Sequence, residues 1–427
     1  MTLNDEYWKE IFKKYDILKE IDEKGIYEIS ASEIKEFREP RLMVKFDYKN
    51  QLPEIFSENN LSILPITKGK YIISRFKAYH KLEKREKEIR SFEFPEHIES
   101  LDFNNITSEA QAINCAYITG IIQDFLEEDE GIYPTVQGRM GSGEFNFNIV
   151  DTDTSDKINV NIKNSQIEID GAYEGLNFLS LIEAKIEYPE NFLVRQLYYP
   201  FRTWNNCVEK EVKTIFLIYS NGIFSLYEYS FEDEDCYNSL KLTKQESYSI
   251  IDGEIEMEDL ESIVNSIEII SEPKIPFPQA DSFERVISLC ESLKEKKLNR
   301  NEITEKYSFD MRQSNYYASA GMYLGLIDKT QVNGRVPCYS LTKRGNKIFT
   351  LPLKQRQLEL VKFILEHEVF LNTFKLWLKR GEVPSLEERL DIMKKSNLYH
   401  VTSDETYKRR SRTILRWLEW ILDLKNV

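Results

Sequence analysis

Between Ile167 and Lys185 the chain reads IEIDGAYEGLNFLSLIEAK. Asp170 closes the short run Ile167–Ile169, and Glu183, Ala184 and Lys185 close the run Leu179–Ile182. Runs this short and β-rich, separated by Tyr-Glu-Gly-Leu-Asn, predict two adjacent strands joined by a loop. Side chains alternate along a strand, so Glu183 and Lys185 share a face and Ala184 points away. If the strands pair, Asp170 reaches the same face. Two carboxylates can hold a hard divalent cation such as Mg²⁺, which keeps open positions for water and phosphate. Such a cation lowers the pKa of a bound water and offsets phosphoryl charge. A lysine beside it can orient that water or stabilise developing negative charge. The plain alternative is a hairpin with a surface Glu–Lys pair.

Several elements must position these groups. Ser108 predicts an N-cap for a helix over 109–127, with Ala110, Ile113, Ala116, Tyr117, Gly120, Ile121 and Phe125 as its apolar stripe. Gly138-Arg-Met-Gly-Ser-Gly reads as a turn feeding a strand with Phe145, Phe147 and Ile149 on one face. A helix is expected from Asn191 to about Val208, carrying Arg195 and Gln196 and bent at Pro200. Two strands, Thr214–Tyr219 and Ile223–Tyr229, flank Ser220-Asn221-Gly222, a hairpin signal.

Asp, twelve residues, then Glu-x-Lys, within the order helix, three strands, helix, two strands, resembles the PD-(D/E)XK nuclease superfamily. The resemblance covers roughly residues 108–232. It implies an αβββαβ core, although Ile-Asp-Gly stands here where that superfamily commonly has Pro-Asp. It further implies that Asp170, Glu183 and the Ala184 carbonyl bind Mg²⁺ and that Lys185 positions the attacking water. Glu109 and Gln196 would support the site. Glu109 equally suits a first-turn role facing the helix dipole, and Glu174 reads as a spare loop carboxylate.

The composition bounds these readings. At 427 residues, two to four domains are expected. Hydrophobic content of 41% with 30% charged residues fits an ordinary globular chain. No apolar run reaches membrane-spanning length, and the N-terminus lacks a signal-peptide core. Five cysteines without metal-ligand spacing read as reduced thiols of a cytoplasmic protein. The four histidines, at 80, 97, 367 and 400, stand near no credible Ser or Cys nucleophile, which argues against acyl transfer.

The net charge of −15 is unevenly spread. Residues 282–427 carry 27 Lys+Arg against 18 Asp+Glu, a net of +9, while the remainder carries 30 against 54, a net of −24. An acidic front and a basic back suit a C-terminal region that binds nucleic acid. The proline-rich Glu272–Pro278 reads as a linker. Beyond it, helices over 283–293, 301–307 and 310–324, followed by a hairpin through Arg335, resemble a winged-helix domain. Arg312, Gln313, Ser314 and Asn315 then stand where a recognition helix meets bases, and Arg335, Lys343 and Arg344 where a wing meets phosphates. The closing helix carries Lys408, Arg409, Arg410 and Arg412 before an apolar face, again a phosphate-binding pattern.

The expected architecture is an α+β / α/β multidomain chain. It comprises an N-terminal α+β domain over 1–100 that is a candidate for DNA recognition, a restriction-endonuclease-like core over 101–270, a winged helix over 271–352, and a second helical unit over 353–427 open to a winged-helix reading. Within 1–100, an opening helix through Trp8 and Leu18, a charged helix over 80–91, and basic Arg38, Arg41, Lys45, Lys49 and Lys68 are expected. The resemblance implies a Mg²⁺-dependent type II restriction endonuclease cutting double-stranded DNA, with a homodimer supplying two cuts and a companion methyltransferase protecting the host. A structure-specific repair nuclease and a non-catalytic winged-helix regulator are the alternatives.

Overall fold

A computed structural model of the protein describes residues 3–85, 88–250, 255–306, 311–330 and 337–424. It is a multidomain α+β chain. Two compact units divide it: the first takes residues 1–85, 108–218 and 225–246, the second 86–107, 219–224 and 247–427.

The first unit opens with two helices, Leu3–Lys14 and Ile17–Lys24, and an antiparallel sheet in the order 27–30, 70–74, 62–67. Trp8 sits edge-on to Phe56 with centroids 4.8 Å apart, and its indole N–H donates to the Met43 carbonyl, so its polar end is satisfied inside the core. Ser30 and Glu33 form a reciprocal capping box that starts the short helix Ala31–Lys35.

The centre of this unit is a mixed sheet. Six of its seven strands are β1 (Tyr133–Pro134), β2 (Gly171–Glu174), β3 (Phe178–Lys185), β4 (Glu211–Ser220), β5 (Ile223–Phe231) and β6 (Leu240–Ile250), ordered β6-β5-β4-β3-β2-β1, and the seventh, Ile89–Phe92, runs parallel to the end of β6. β2 and β3 form an antiparallel hairpin with Gly171 opposite Ile182 and Glu174 opposite Leu179. β3 and β4 are parallel, which requires a crossover, and a helix provides it. Every residue of β3 is buried, the pattern of a strand covered on both faces. The helices around the sheet are α1 (Glu109–Ile118), α2 (Ile121–Leu126) and the crossover α3 (Arg195–Asn205).

Several expectations are corrected here. Residues 166–169 pair with 138–141, not with β3, so the partner of β3 is the segment after Asp170. The expected 109–127 helix breaks at Gly120, whose φ of +83° leaves the helical region. Residues 144–150 join 157–163 in a separate ribbon outside the central sheet. In place of a charged helix over 80–91 the chain forms strands Tyr79–Lys81 and Ile89–Phe92. The alternation of polar and apolar residues in LKLTKQESYSI is the signature of β6.

The second unit contains helices Phe283–Glu295, Arg300–Lys306 and Met311–Tyr323, and an antiparallel sheet ordered 298–299, 338–341, 327–330. Among the described residues five helices follow: Lys343–Ile348, Leu353–Leu365, Glu368–Arg380, Leu386–Lys395 and Asp404–Asp423. Among the described residues after 353 there is no strand, so a winged form for that part is not met. Its residues share one core with the preceding helices: Phe283 lies 5.0 Å from Trp417, and the Trp417 indole donates to the Ala280 carbonyl at 2.7 Å.

Candidate functional site

Three groups from different elements meet at the end of β3. The β2–β3 register carries Asp170, just before β2, alongside the Glu183–Ala184 end of β3. There the Asp170 Oδ2 accepts the Ala184 N–H at 2.9 Å. Glu183 and Lys185 share a face as alternation requires, and the Lys185 Nζ lies 2.5 Å from Glu183 Oε1. The pairing of Asp170 with the strand that bears Glu183 and Lys185 is therefore realised, through a strand assignment shifted by a few residues.

Two further side chains complete the group. α3 begins at Arg195, so its first turn faces the end of β3, and Gln196 Nε2 donates to Glu183 Oε1 at 2.5 Å. α1 starts at Ser108, whose hydroxyl accepts the Gln111 N–H, a cap that contributes about 1 kcal/mol. That start places Glu109 3.6 Å from the Lys185 ammonium. The helix comes close to β2 where Gly171 leaves room for Ile113, and Tyr117 stacks on Tyr173 at 4.9 Å. Glu174 lies apart, paired with Lys210 at 2.7 Å.

Electrostatics in this group are strained by burial. Glu183 and Lys185 are 8% and 7% exposed. Burial pushes the Glu183 carboxyl up to about 8; the Lys185 cation draws it down and the Asp170 carboxylate pushes it further up. For Lys185 burial opposes the charge, but Glu183, Glu109, Asp47 and Asp170 outweigh it and hold the ammonium above its ordinary range. Glu109 is raised by burial, with Lys185 pulling against it.

The donor set suits a hard cation in its chemistry: Asp170 and Glu183 carboxylates and the Ala184 carbonyl, all oxygen. Among the described residues no group of three or more His, Cys, Asp or Glu side chains forms a metal cage. A pair of carboxylates supplemented by main chain and water does not require one. The Gln196 Oε1 is buried and has no hydrogen-bond partner among the described residues, and it lines a small cavity with Glu183, Ile169, Leu181 and Thr214. A buried acceptor of this kind calls for a donor or a cation.

The residues expected to contact DNA are more dispersed. Lys343, Lys408 and Arg409 are exposed. Arg344 is engaged with Glu366 at 2.7 Å and lies over the Phe363 ring, and Arg412 is paired with Asp281 at 2.8 Å. Arg410 is half-buried; burial and the neighbouring Arg409 lower its pKa. Asn315 is partly exposed, whereas Ser314 is 1% exposed, which removes its side chain from a base-reading surface. Arg335 and the side chains of Arg312 and Gln313 lie outside the described residues.

Asp47 was missed in the sequence. It lies 123 positions before Asp170, and no local pattern ties the two together. Its main-chain oxygen accepts the Leu193 N–H just before α3, and its carboxylate acts on Lys185.

Neither curated proteins nor solved structures include a match to this chain. Three family models match it in series, each described as a domain of unknown function: DUF6996 over residues 5–73, DUF6997 over 74–249 and DUF7226 over 285–426. Asp170, Glu183, Lys185, Glu109 and Gln196 all fall within the second of these matches, and Asp47 within the first.

Proposed function

We propose that the chain is a Mg²⁺-dependent endonuclease that hydrolyses phosphodiester bonds of double-stranded DNA at specific sequences, a type II restriction enzyme of PD-(D/E)XK type. The observation that carries this is the meeting of Asp170, Glu183 and Lys185 at one strand end, with Gln196 on Glu183 and Glu109 beside Lys185. A buried ion pair contributes little net stability, because desolvation cancels much of the attraction. Its presence in a buried strand whose other side chains, Ser180 apart, are apolar is better accounted for by chemistry.

Asp170, Glu183 and the Ala184 carbonyl would hold Mg²⁺. Bound there, Mg²⁺ supplies an acidified water and offsets phosphoryl charge. Lys185 orients the attacking water and supports the negative charge that builds on the phosphate. Gln196 fixes the Glu183 carboxylate, and Glu109 shares the Lys185 cation. The helix–strand order of residues 283–341, with short strands closing three helices, supports a winged-helix reading of that part. The net +9 of residues 282–427 supports DNA as its partner. A homodimer on the duplex would supply two cuts, and a companion methyltransferase would protect host DNA.

The test is digestion of unmethylated plasmid and phage DNA with Mg²⁺, with EDTA, and by the Lys185→Ala protein. Discrete fragments that require Mg²⁺, with the variant at least roughly 10²-fold slower, are expected. Undiminished cutting by Lys185→Ala would overturn the assignment. Structure-selective cutting would move the reading to a repair nuclease, and tight binding without cutting to a regulator.

A further inference from the structure

Two strands that lead into the site form a ribbon whose faces differ in character. Glu144–Val150 pairs antiparallel with Lys157–Lys163, with Asn146 opposite Asn161 and Asn148 opposite Asn159. Alternation puts Phe145, Phe147, Val160 and Ile162 on one face, all buried. That face packs on α3, with Phe145 5.4 Å from Tyr199 and Phe147 5.1 Å from Tyr198. The other face carries the four asparagines in two cross-strand rows, with Lys157 at one end and Lys163, opposite Glu144, at the other. Asn148 is partly covered, and the remaining asparagines and both lysines are exposed.

Asparagine is disfavoured in strands, so four of them on one exposed ribbon face add nothing to its stability. Nor do they satisfy one another well. Asn159 Nδ2 donates to Asn148 Oδ1 at 3.2 Å, and Asn161 Nδ2 reaches Asn159 Oδ1 only at 3.5 Å, which leaves amide groups for a ligand. A primary amide presents a donor beside an acceptor, the pattern that meets N6 and N7 of adenine in the major groove of DNA. A two-stranded ribbon fits that groove, which is about 12 Å wide. The two asparagine rows lie roughly 7 Å apart along the strand, close to the rise of two base pairs at about 3.4 Å each. Lys157 and Lys163 place positive charge where the flanking phosphates run. Lys77, exposed and with its N–H on the Val150 carbonyl at 2.9 Å, adds a cation beside the Lys157 end. The acidic stretch 232–235 borders the ribbon at Asn148, where Asp235 is neutralised by Arg202 at 2.8 Å and Glu234 accepts from Asn205 at 2.9 Å.

The ribbon is tied to the site at its base. Past Lys163 its strands bend and resume as Gln166–Ile169 on Gly138–Gly141, and the next residue is Asp170. Its tip is held as well: the Thr152 N–H donates to the Arg75 carbonyl at 2.7 Å, and Arg75 Nε lies 3.0 Å from Asp153 Oδ2. Asn161 stands nine residues before Asp170. That is at most roughly 30 Å of extended chain, within one turn of B-DNA at about 34–36 Å.

We propose that the exposed face of the 144–163 ribbon enters the major groove of duplex DNA and reads A·T base pairs through Asn146, Asn148, Asn159 and Asn161. This rests on the reading of Asp170, Glu183 and Lys185 as a DNA-cleaving site, and it assigns the sequence choice of that reaction to an element joined directly to Asp170.

The test uses full-length wild type, Asn146→Ala/Asn161→Ala, Asn148→Ala/Asn159→Ala and Lys157→Gln/Lys163→Gln with short duplexes of randomised sequence. Bound duplexes are sequenced in EDTA, and cut ends are sequenced in Mg²⁺. Wild type is expected to enrich a motif containing A·T pairs. Each asparagine variant lowers the preference at one or two of those pairs by roughly 5- to 150-fold. Its affinity for pooled random duplex changes by less than about twofold, because asparagine neutralises no phosphate. The lysine variant keeps the motif and reduces the slope of log K against log salt by about 2. A wild type that enriches no motif, or asparagine variants that enrich the wild-type motif at wild-type strength, overturns the proposal. Loss of a dimer by the asparagine variants with the motif intact also overturns it and gives the face to a second copy of the chain. If the asparagine pairs do not fold, Asn161→Asp decides. It is expected to move one position from A·T toward C·G, since a carboxylate accepts from N4 of cytosine, and an unmoved preference overturns the proposal. A motif altered by the asparagine substitutions in a protein that cuts no DNA keeps the ribbon and removes the nuclease reading. Cutting at a motif that those substitutions leave unaltered removes the ribbon alone.

Discussion

At the residue scale, burial acts on single ionisable groups in both units. Glu183 and Lys185 face each other inside the fold, where burial raises the Glu183 carboxyl and the Lys185 ammonium draws it back, and Gln196 adds a hydrogen bond to the same oxygen. Glu291, on the helix Phe283–Glu295, offers a separate case open to measurement. Burial pushes its carboxyl up to about 7, against the pull of the Arg356 cation and of the Asn221 N–H that donates to it at 3.3 Å. The folded pKa exceeds the unfolded one, so the folded state binds the proton more tightly. The stability this contributes is present below about pH 4.5 and is lost as pH rises through about 7. Urea unfolding of wild type and Glu291→Gln at pH 5 and pH 8 checks this. Wild type should lose at most about 3 kcal/mol over that range, less for the solvent reaching this partly exposed side chain, and the variant should lose less. Parallel pH dependence in both proteins would remove Glu291 as the cause.

At the element scale, the site depends on where strands and helices end. β3 delivers Glu183 and Lys185 at its last turn of alternation, α3 begins ten residues after Lys185, and α1 begins at its Ser108 cap. The β4–β5 hairpin behaves as its Asn-Gly signal predicts: Asn221 and Gly222 take φ of +55° and +78°, the left-handed values a tight two-residue turn demands. At Gly222 a Cβ would also come within 2.5 Å of Leu353 Cδ1. Gly222→Ala is therefore expected to destabilise by about 1–3 kcal/mol, from backbone strain and from displacement of Leu353. Chemical denaturation measures it, and a loss under roughly 0.5 kcal/mol would mean that the turn relaxes freely. Helix 109–127 shows the opposite lesson. Its apolar stripe is continuous in sequence, but Gly120 adopts a positive φ and splits it into α1 and α2.

At the scale of the whole molecule, charge segregation is the feature with the clearest consequence. The basic C-terminal third offers exposed Lys408 and Arg409 ahead of a buried face of Ile414, Trp417, Leu418 and Ile421. If these two contact phosphate, the double variant Lys408→Ala/Arg409→Ala reduces the slope of log K against log salt by about 2. It should also weaken binding evenly across DNA sequences. Fluorescence anisotropy at a series of salt concentrations measures the slope, and an unaltered slope would place the DNA elsewhere. The sequence by itself determined the strand ends bearing Asp170, Glu183 and Lys185, the Ser108 cap, the Asn221–Gly222 turn and the three helices after residue 282, because each is written in local spacing and capping chemistry. Only the tertiary structure decided which strand pairs with β3, since 167–169 and 171–174 carry similar β-forming residues and pairing is settled by what each strand can bury. It likewise decided the burial of Ser314, the engagement of Arg344 and Arg412 by acidic partners, and the arrival of Asp47 from far along the chain. Long-range approach of this kind depends on how modules pack, a quantity that no periodicity within one segment encodes.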